Sequence, residues 1–337
     1  MKRAITILTG FLGSGKTTLL ARALADPSMR NTAVLVNEFG EVGIDHHLLR
    51  RTEERTILLG NGCVCCSTRE DLVSALLELL DQEDRGEIPP LERVVIETTG
   101  LADPAPIPYT IFSDPVLQHH FTVDLVIATV DAVNGDLHLD RNPESIKQVV
   151  AADKLVVTKT DLAEEEAVQS LISRLGAMNP SARVVEAVSG QTDAGELFEP
   201  VEEFPGTTPR TVEAMNSEPH SITETHSISL TFDGAVDWTA FGIWLSMLLY
   251  ARGEDVLRVK GILDVGEAGP VVLNGVQHII HPPEHLEKWP DEEHYSRIIL
   301  IAKHIEPHEI LASLRSFHHI LEAEARPLHL EHASSSA

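Results

Sequence analysis

Cysteine is nearly absent from this chain: only three occur in 337 residues, and all lie within "CVCC", at Cys63, Cys65 and Cys66. With no thiol elsewhere to pair with, metal ligation or redox chemistry displaces structural disulfides as the use of the cluster. Basic residues are scarce too, 26 Lys and Arg against 52 Asp and Glu, for a formal net charge of -26. Such a surface repels phosphate backbones and anionic lipid heads, which excludes nucleic acid and membrane surfaces as expected partners. Long apolar runs are also missing. The opening "MKRAITILTGFLGSGK" is broken by glycines and a lysine before a signal-peptide core or a spanning helix can form, and no later run reaches spanning length. The expectation is a soluble, cytoplasmic protein. There is no internal repeat and no arginine-rich insertion of the kind that closes over a kinase substrate.

What is present is a chain with 43% hydrophobic residues and more length than one ordinary domain needs. Apolar runs rich in β-branched residues ("AITILTG", "TAVLVNE", "TILLGNG", "RVVIETTG", "LVIATVD", "KLVVTKTD") alternate with helical patterns from Lys16, from Ser67 and near Ile146. Runs that are continuously apolar indicate strands buried on both faces, so the fold class is α/β with a mostly parallel sheet. That domain is expected over residues 1–200, and a linker rich in proline, glycine, threonine and acid over 201–217. Strands near "HSISLTF", "VLRVKGILDV", "PVVLNGVQHIIH" and "RIILIAKH", with helices at "DWTAFGIWLSMLLYAR" and "PHEILASLRSFHHIL", predict a smaller C-terminal α+β domain over 218–322. Residues 323–337 read as a flexible tail.

"GFLGSGKTT" fits G-x-x-x-x-G-K-[ST] between a strand and an apolar helix, the context a phosphate-binding P-loop requires. Gly10, Gly13, Ser14 and Gly15 let backbone N–H groups turn onto phosphate oxygens, and Lys16 bridges the β and γ phosphates. The Thr17 hydroxyl ligates Mg²⁺, and Thr18 continues the helix start. The companion acid is Glu97 at the end of "RVVIE", where it can hold a Mg²⁺-bound water while the Gly100 N–H meets the γ-phosphate. The plain alternatives are a glycine-rich turn and a solvated strand-end glutamate. "TKTD", Thr158 to Asp161, supplies base choice. The Asp161 carboxylate can accept from the N1–H and exocyclic amine of guanine, donors that adenine lacks, with the Lys159 stem over the base. GTP is therefore favoured over ATP.

The three thiols stand before "STRE", a capping-box pattern that opens the helix "EDLVSALLELL". A helix N-terminus favours thiolate, the form that binds metal, and three thiolates with one further ligand make a tetrahedral site suited to Zn²⁺ or Co²⁺. A buried cysteine turn and a Cys63–Cys66 redox pair are the competing uses. Between the P-loop helix and the cluster, "NEFGEVGIDHHLL" lies where a P-loop GTPase has its first switch. There Asp45 can reach the Mg²⁺ shell and Glu41 can offer oxygen to the thiolate-bound metal; each acid taken alone reads first as simply solvated. Among 17 histidines, the pairs His119–His120 and His318–His319 read as surface or core residues.

In this order, "TGFLGSGKTTLL", "VNEFGEVGID", "LGNGCVCC", "VIETTGLADPAP" and "TKTD" resemble the CobW-type family of metallochaperone GTPases, relatives of the nickel-insertion GTPases of urease and hydrogenase. The resemblance runs from about Ile5 to Leu321 and takes in the family's C-terminal domain. It implies Mg²⁺-dependent GTP hydrolysis, transition-metal binding at Cys63, Cys65 and Cys66, and delivery to a client metalloprotein or cofactor pathway. A homodimer stays open as one form of assembly. Thr158 departs from the asparagine found in many GTPases, which puts one polar contact near the base in doubt. The long histidine run of some members is missing, which argues against metal storage. Two other classes stay open on the residues: a P-loop kinase of a small molecule, and a non-catalytic thiol sensor of metal or oxidant.

Overall fold

The structure, a computed structural model, describes residues 2–36, 57–58, 69–187, 193–201, 225–290, 292, 294–317 and 324–327. The chain divides into two compact units, one of Met1–Gly176 with Ala182–Val201 and one of Ala177–Ser181 with Glu202–Ala337. Among the described residues no helix is long and apolar enough to cross a membrane.

In the first unit, β1 (Arg3–Gly10), β2 (Thr32–Val36), β3 (Ile57–Leu58), β4 (Arg93–Glu97), β5 (Phe121–Asp131), β6 (Lys154–Thr158) and β7 (Arg183–Ala187) form one sheet. Its order is β3-β2-β4-β1-β5-β6-β7, and every pairing is parallel. Continuous apolar runs make this possible, because both faces are covered. On one face Ile5, Ile7, Val94 and Ile96 pack against Leu72, Leu76 and Leu79 of α2 (Arg69–Asp84). On the other, Leu8, Val95, Ile127 and Val156 meet Leu19, Leu20 and Ala23 of α1 (Lys16–Ala23). Each leucine so buried contributes about 2 kcal/mol. From β1 the chain goes out to β2 and β3 and returns to β4 beside β1, then crosses to β5 on the opposite flank. β1 is therefore the switch point of the sheet, and the crevice at its C-terminal end is where an α/β fold of this kind binds ligands.

The sequence pattern indicated helices corresponding to α1, α2 and α6 (Pro143–Ala151). The structure adds α3 (Pro106–Ser113), α4 (Pro115–His120), α5 (Gly135–Arg141), α7 (Glu165–Met178) and α8 (Ala194–Phe198). Proline reads as a breaker, yet Pro106, Pro115 and Pro143 each stand in the first turn of a helix, where the missing N–H is not needed. At α4 the Asp114 carboxylate accepts from the N–H groups of Val116 and Leu117 at 2.9 and 3.0 Å.

The second unit has an antiparallel sheet of β8 (Thr225–Asp233), β9 (Val256–Leu263), β10 (Val271–Val276), β11 (Ile279–Ile280), β12 (Glu284–His285) and β13 (Ser296–Lys303). Helices α9 (Trp238–Arg252) and α10 (Pro307–Ser316) pack on it through Phe241, Trp244, Ile310 and Leu314, against Phe232 and Leu300. The Trp244 indole N–H donates to Ser313 Oγ at 3.0 Å, so the one polar atom of the largest core side chain is satisfied. One expectation is corrected here. Residues 323–337 were read as a flexible tail, but Glu324–Pro327 form β14, paired antiparallel with β8 from Asp233 to Leu230. β8 is otherwise an edge, and its unpaired backbone groups supply the reason for the added strand.

Candidate nucleotide site

The sequence between β1 and α1 closes on itself because glycine permits it. Gly10, Gly13 and Gly15 have φ of 139°, 72° and 92°, values that side chains with a Cβ rarely adopt. At Gly10 a Cβ would also collide with Thr129 of β5. Gly15 is the N-cap of α1 and contributes no side-chain cap, so the helix N-terminus is left facing the loop. Lys16 is buried, and its ammonium donates to the carbonyls of Gly10 at 2.9 Å and Phe11 at 3.1 Å. Ser14 Oγ and Thr129 Oγ1 lie 2.6 Å apart, fastening the loop to β5. Gly13 and Thr18 are exposed at the mouth.

β4 brings the second group. Glu97, buried at the end of that strand, accepts a hydrogen bond from the Thr17 hydroxyl at 2.6 Å. These hard oxygen donors at a helix N-terminus fit Mg²⁺, which takes few protein ligands beside phosphate oxygens and water. After Glu97 the Thr98 N–H donates to Leu8 O and the Thr98 hydroxyl to Thr9 Oγ1 at 2.8 Å, holding the segment against β1. It then reaches Gly100, which is buried tightly against the backbone of Leu12.

β6 brings the third. The Thr158 hydroxyl donates to the Ser14 carbonyl at 2.7 Å, and both groups are buried. Thr158 was expected near the base; its hydroxyl instead ties the "TKTD" turn to the P-loop. Lys159 has a left-handed φ of 58° and its ammonium meets Asp131 Oδ2 at 2.5 Å. Asp131, at the end of β5, also accepts from the Val133 N–H at 2.8 Å and from the Asn134 amide. Burial pushes its carboxyl up, but hydrogen bonds from Lys159, Val133 and Asn134 and the Lys159 charge outweigh that and hold it below its ordinary value. Asp161, one residue beyond Thr160, is exposed. Lys16, Thr17, Glu97, Gly100, Thr158, Lys159 and Asp161 thus come from the C-terminal ends of β1, β4 and β6 and share one edge of the sheet.

Residues 4–186 match the model described as "CobW/HypB/UreG, nucleotide-binding domain", and residues 225–318 match the "Cobalamin synthesis protein cobW C-terminal domain". The chain belongs to the CobW/HypB/UreG family. It is 38% identical over 317 residues to the zinc chaperone YjiA of Escherichia coli, covering 92% of this chain and 97% of that one. It is 30% identical to the zinc chaperone CobW of Pseudomonas aeruginosa, with 94% and 91% covered. The crystal structure of the Zn(II)-bound YjiA GTPase from E. coli superposes with a TM-score of 0.71 at 35% identity, covering 94% of this chain and 99% of that chain.

Other expected site residues, Glu41, Asp45, Cys63, Cys65 and Cys66, lie outside the described residues. Among the described residues no cluster of histidine, cysteine and acid could hold a metal ion. Sequence reasoning passed over Thr129, Asp131 and Gln148, which buttress the site from β5 and α6. Asp131 had a signal, since it closes an apolar strand run where a carboxylate has no business unless it is paired.

Proposed function

We propose that this chain is a Mg²⁺-dependent GTPase and metallochaperone: it holds Zn²⁺ as cargo on Cys63, Cys65 and Cys66 and hands it to a client metalloprotein or cofactor pathway. The observation that carries the nucleotide half is the Thr17–Glu97 pair beside the buried Lys16 ammonium at the sheet switch point. Membership of the family and the names of the zinc chaperones it resembles support the metal half.

In the reaction water attacks the γ-phosphorus in line, the bond to the β–γ bridging oxygen breaks, and GDP departs with that oxygen's electron pair. The proton of the attacking water passes to phosphate or solvent. Lys16 exchanges two neutral carbonyl acceptors for phosphate oxygens and so moves its charge to where negative charge collects. Thr17 by its hydroxyl, and Glu97 through water, would hold Mg²⁺, which supplies charge neutralisation across the β and γ phosphates. The Gly100 N–H donates to the γ-phosphate. Asp161 accepts from the guanine N1–H and amine, while Asp131 holds the Lys159 ammonium so that its stem lies along the base. Among the described residues none is assigned as a base for the water, and the turnover expected is the slow one of a GTPase that awaits a partner.

In the cargo half, Asp45 is assigned to the Mg²⁺ shell and Glu41 to the thiolate-bound metal, so that one segment would let nucleotide state set metal affinity. The test is to titrate Zn²⁺ and Co²⁺ into reduced protein with GDP and then with a non-hydrolysable GTP analogue, reading Co²⁺–thiolate absorbance in wild type and Cys65→Ser. Affinity that depends on both the nucleotide and Cys65 supports the chaperone. Metal binding indifferent to nucleotide removes the coupling, and binding that survives Cys65→Ser removes the thiol site.

A further inference from the structure

Helix α6 carries no phosphate motif, yet its side chains reach the segment that follows Glu97. Gln148 is 1% exposed, and its amide Nε2 donates to two backbone carbonyls of that segment, Gly100 O at 3.1 Å and Ala102 O at 3.0 Å. One residue earlier, the Lys147 ammonium pairs with Asp103 at 3.2 Å. The segment's own bonds, Ala102 N–H to Thr99 O and Ala105 N–H to Asp103 Oδ1, make it a compact turn. Beyond Thr98 the segment is held on one side by its packing against Leu12 and on the other by hydrogen bonds and an ion pair from α6.

The chemistry of the amide shows what Gln148 is for. Two carbonyls need donors, so the NH₂ side must face them and the oxygen must face away. Gln148 Oε1 is then buried without a protein hydrogen-bond partner, as is Ser145 Oγ one turn earlier. Both line a space of about 10 Å³ bounded also by Phe11, Ser14 and Thr129, enough for a single water. A leucine or methionine would fill this position with no polar atom to satisfy. Keeping a glutamine there carries the cost of burying an acceptor away from other protein groups. What the glutamine supplies in return is the pair of donors to Gly100 and Ala102.

We infer that Gln148 is a positioning residue for the γ-phosphate: by holding the carbonyl of Gly100 from behind, it fixes the peptide plane and aim of the Gly100 segment at the nucleotide. The inference rests on the reading that this segment contacts the γ-phosphate. GDP has no γ-phosphate, so Gln148 contributes to GTP binding and turnover and leaves GDP binding alone. Lys147, partly exposed, contributes in the same sense and less.

The experiment compares Gln148→Met and Lys147→Met with wild type, using fluorescent GDP and a fluorescent non-hydrolysable GTP analogue with Mg²⁺, together with single-turnover GTP hydrolysis. Loss of two neutral hydrogen bonds of about 1 kcal/mol each predicts that Gln148→Met weakens the analogue relative to GDP by about tenfold or more, and slows hydrolysis by at least as much. Lys147→Met gives a smaller shift of the same sign and keeps the test open if Gln148→Met does not fold. Equal weakening of GDP and analogue would make Gln148 a packing residue and overturn the inference, as would an unchanged ratio in both variants. Failure of the underlying reading is seen separately: folded Gly100→Ala protein, in which a Cβ would push the segment off Leu12, would then hydrolyse GTP at the wild-type rate.

Discussion

Gly100→Ala is the most direct perturbation of the phosphate site, because its size can be worked from the backbone. A Cβ at Gly100 would stand 2.5 Å from the Leu12 nitrogen and 2.7 Å from the Leu12 Cα, where ordinary contact starts near 3.4 Å. The obstacle is main chain, so no rotamer relieves it. Either the P-loop tip or the Gly100 segment must retreat by about 1 Å, the scale of misplacement that costs about a hundredfold in rate. The expected outcome is single-turnover GTP hydrolysis slowed by about two orders of magnitude, with a much smaller loss of GDP affinity, since GDP makes no γ-phosphate contact. Thermal denaturation checks that the variant is folded. Hydrolysis within about threefold of wild type in folded Gly100→Ala protein would refute the placement of this segment at the γ-phosphate.

Thr158→Val keeps shape and removes the hydroxyl that ties β6 to the Ser14 carbonyl. It should lower stability by about 1–2 kcal/mol and weaken GDP and the GTP analogue alike, opposite to the pattern for Gln148→Met. Lys154 is 1% exposed and its ammonium donates to the carbonyls of Glu196, Leu197 and Glu199 at the end of α8. Lys154→Met should therefore cost about 3 kcal/mol, seen as a melting temperature lower by about 6–12 °C. The folded Asp131 carboxyl titrates below its ordinary value of 3.8, so its stabilisation is complete above that pH and is lost as the pH falls through the lower folded value. Chemical denaturation of wild type and Asp131→Asn should differ most above about pH 5, with the gap narrowing as the pH falls below 3.8; a gap that widens in acid would reverse the assignment.

The phosphate loop was legible because its constraint is local. Glycines with left-handed φ, a lysine and a threonine are neighbours in sequence, and a strand and a helix on either side announce themselves by composition. Glu97 and the "TKTD" turn were legible for a related reason: each follows a continuous apolar run, and a buried strand can end only where polarity begins. The supports of these loops were not legible. Ser14 meets Thr129 across 115 residues and Gln148 meets Gly100 across 48, and neither pairing leaves a trace in spacing. Thr158 illustrates the difference, since its position was apparent and its partner was not. A glutamine on a helix face looks solvated until the helix is docked. The helices opened by Pro106 and Pro115 were hidden because the residue that ends a helix from within also begins one from its first turn.

Strand β14 changes how the molecule can safely be shortened. Among the described residues the hydrophobic cluster built on Trp244 and Phe232 ends at Phe317, so by core composition a cut before 324 looks harmless. Yet it would strip the outer flank of β8 from Leu230 to Asp233 and leave a ladder of backbone donors and acceptors with nothing to bind but the same ladder on another molecule. Glu324–Pro327 serve this unit as a selvedge: they keep the weave from taking up stray thread.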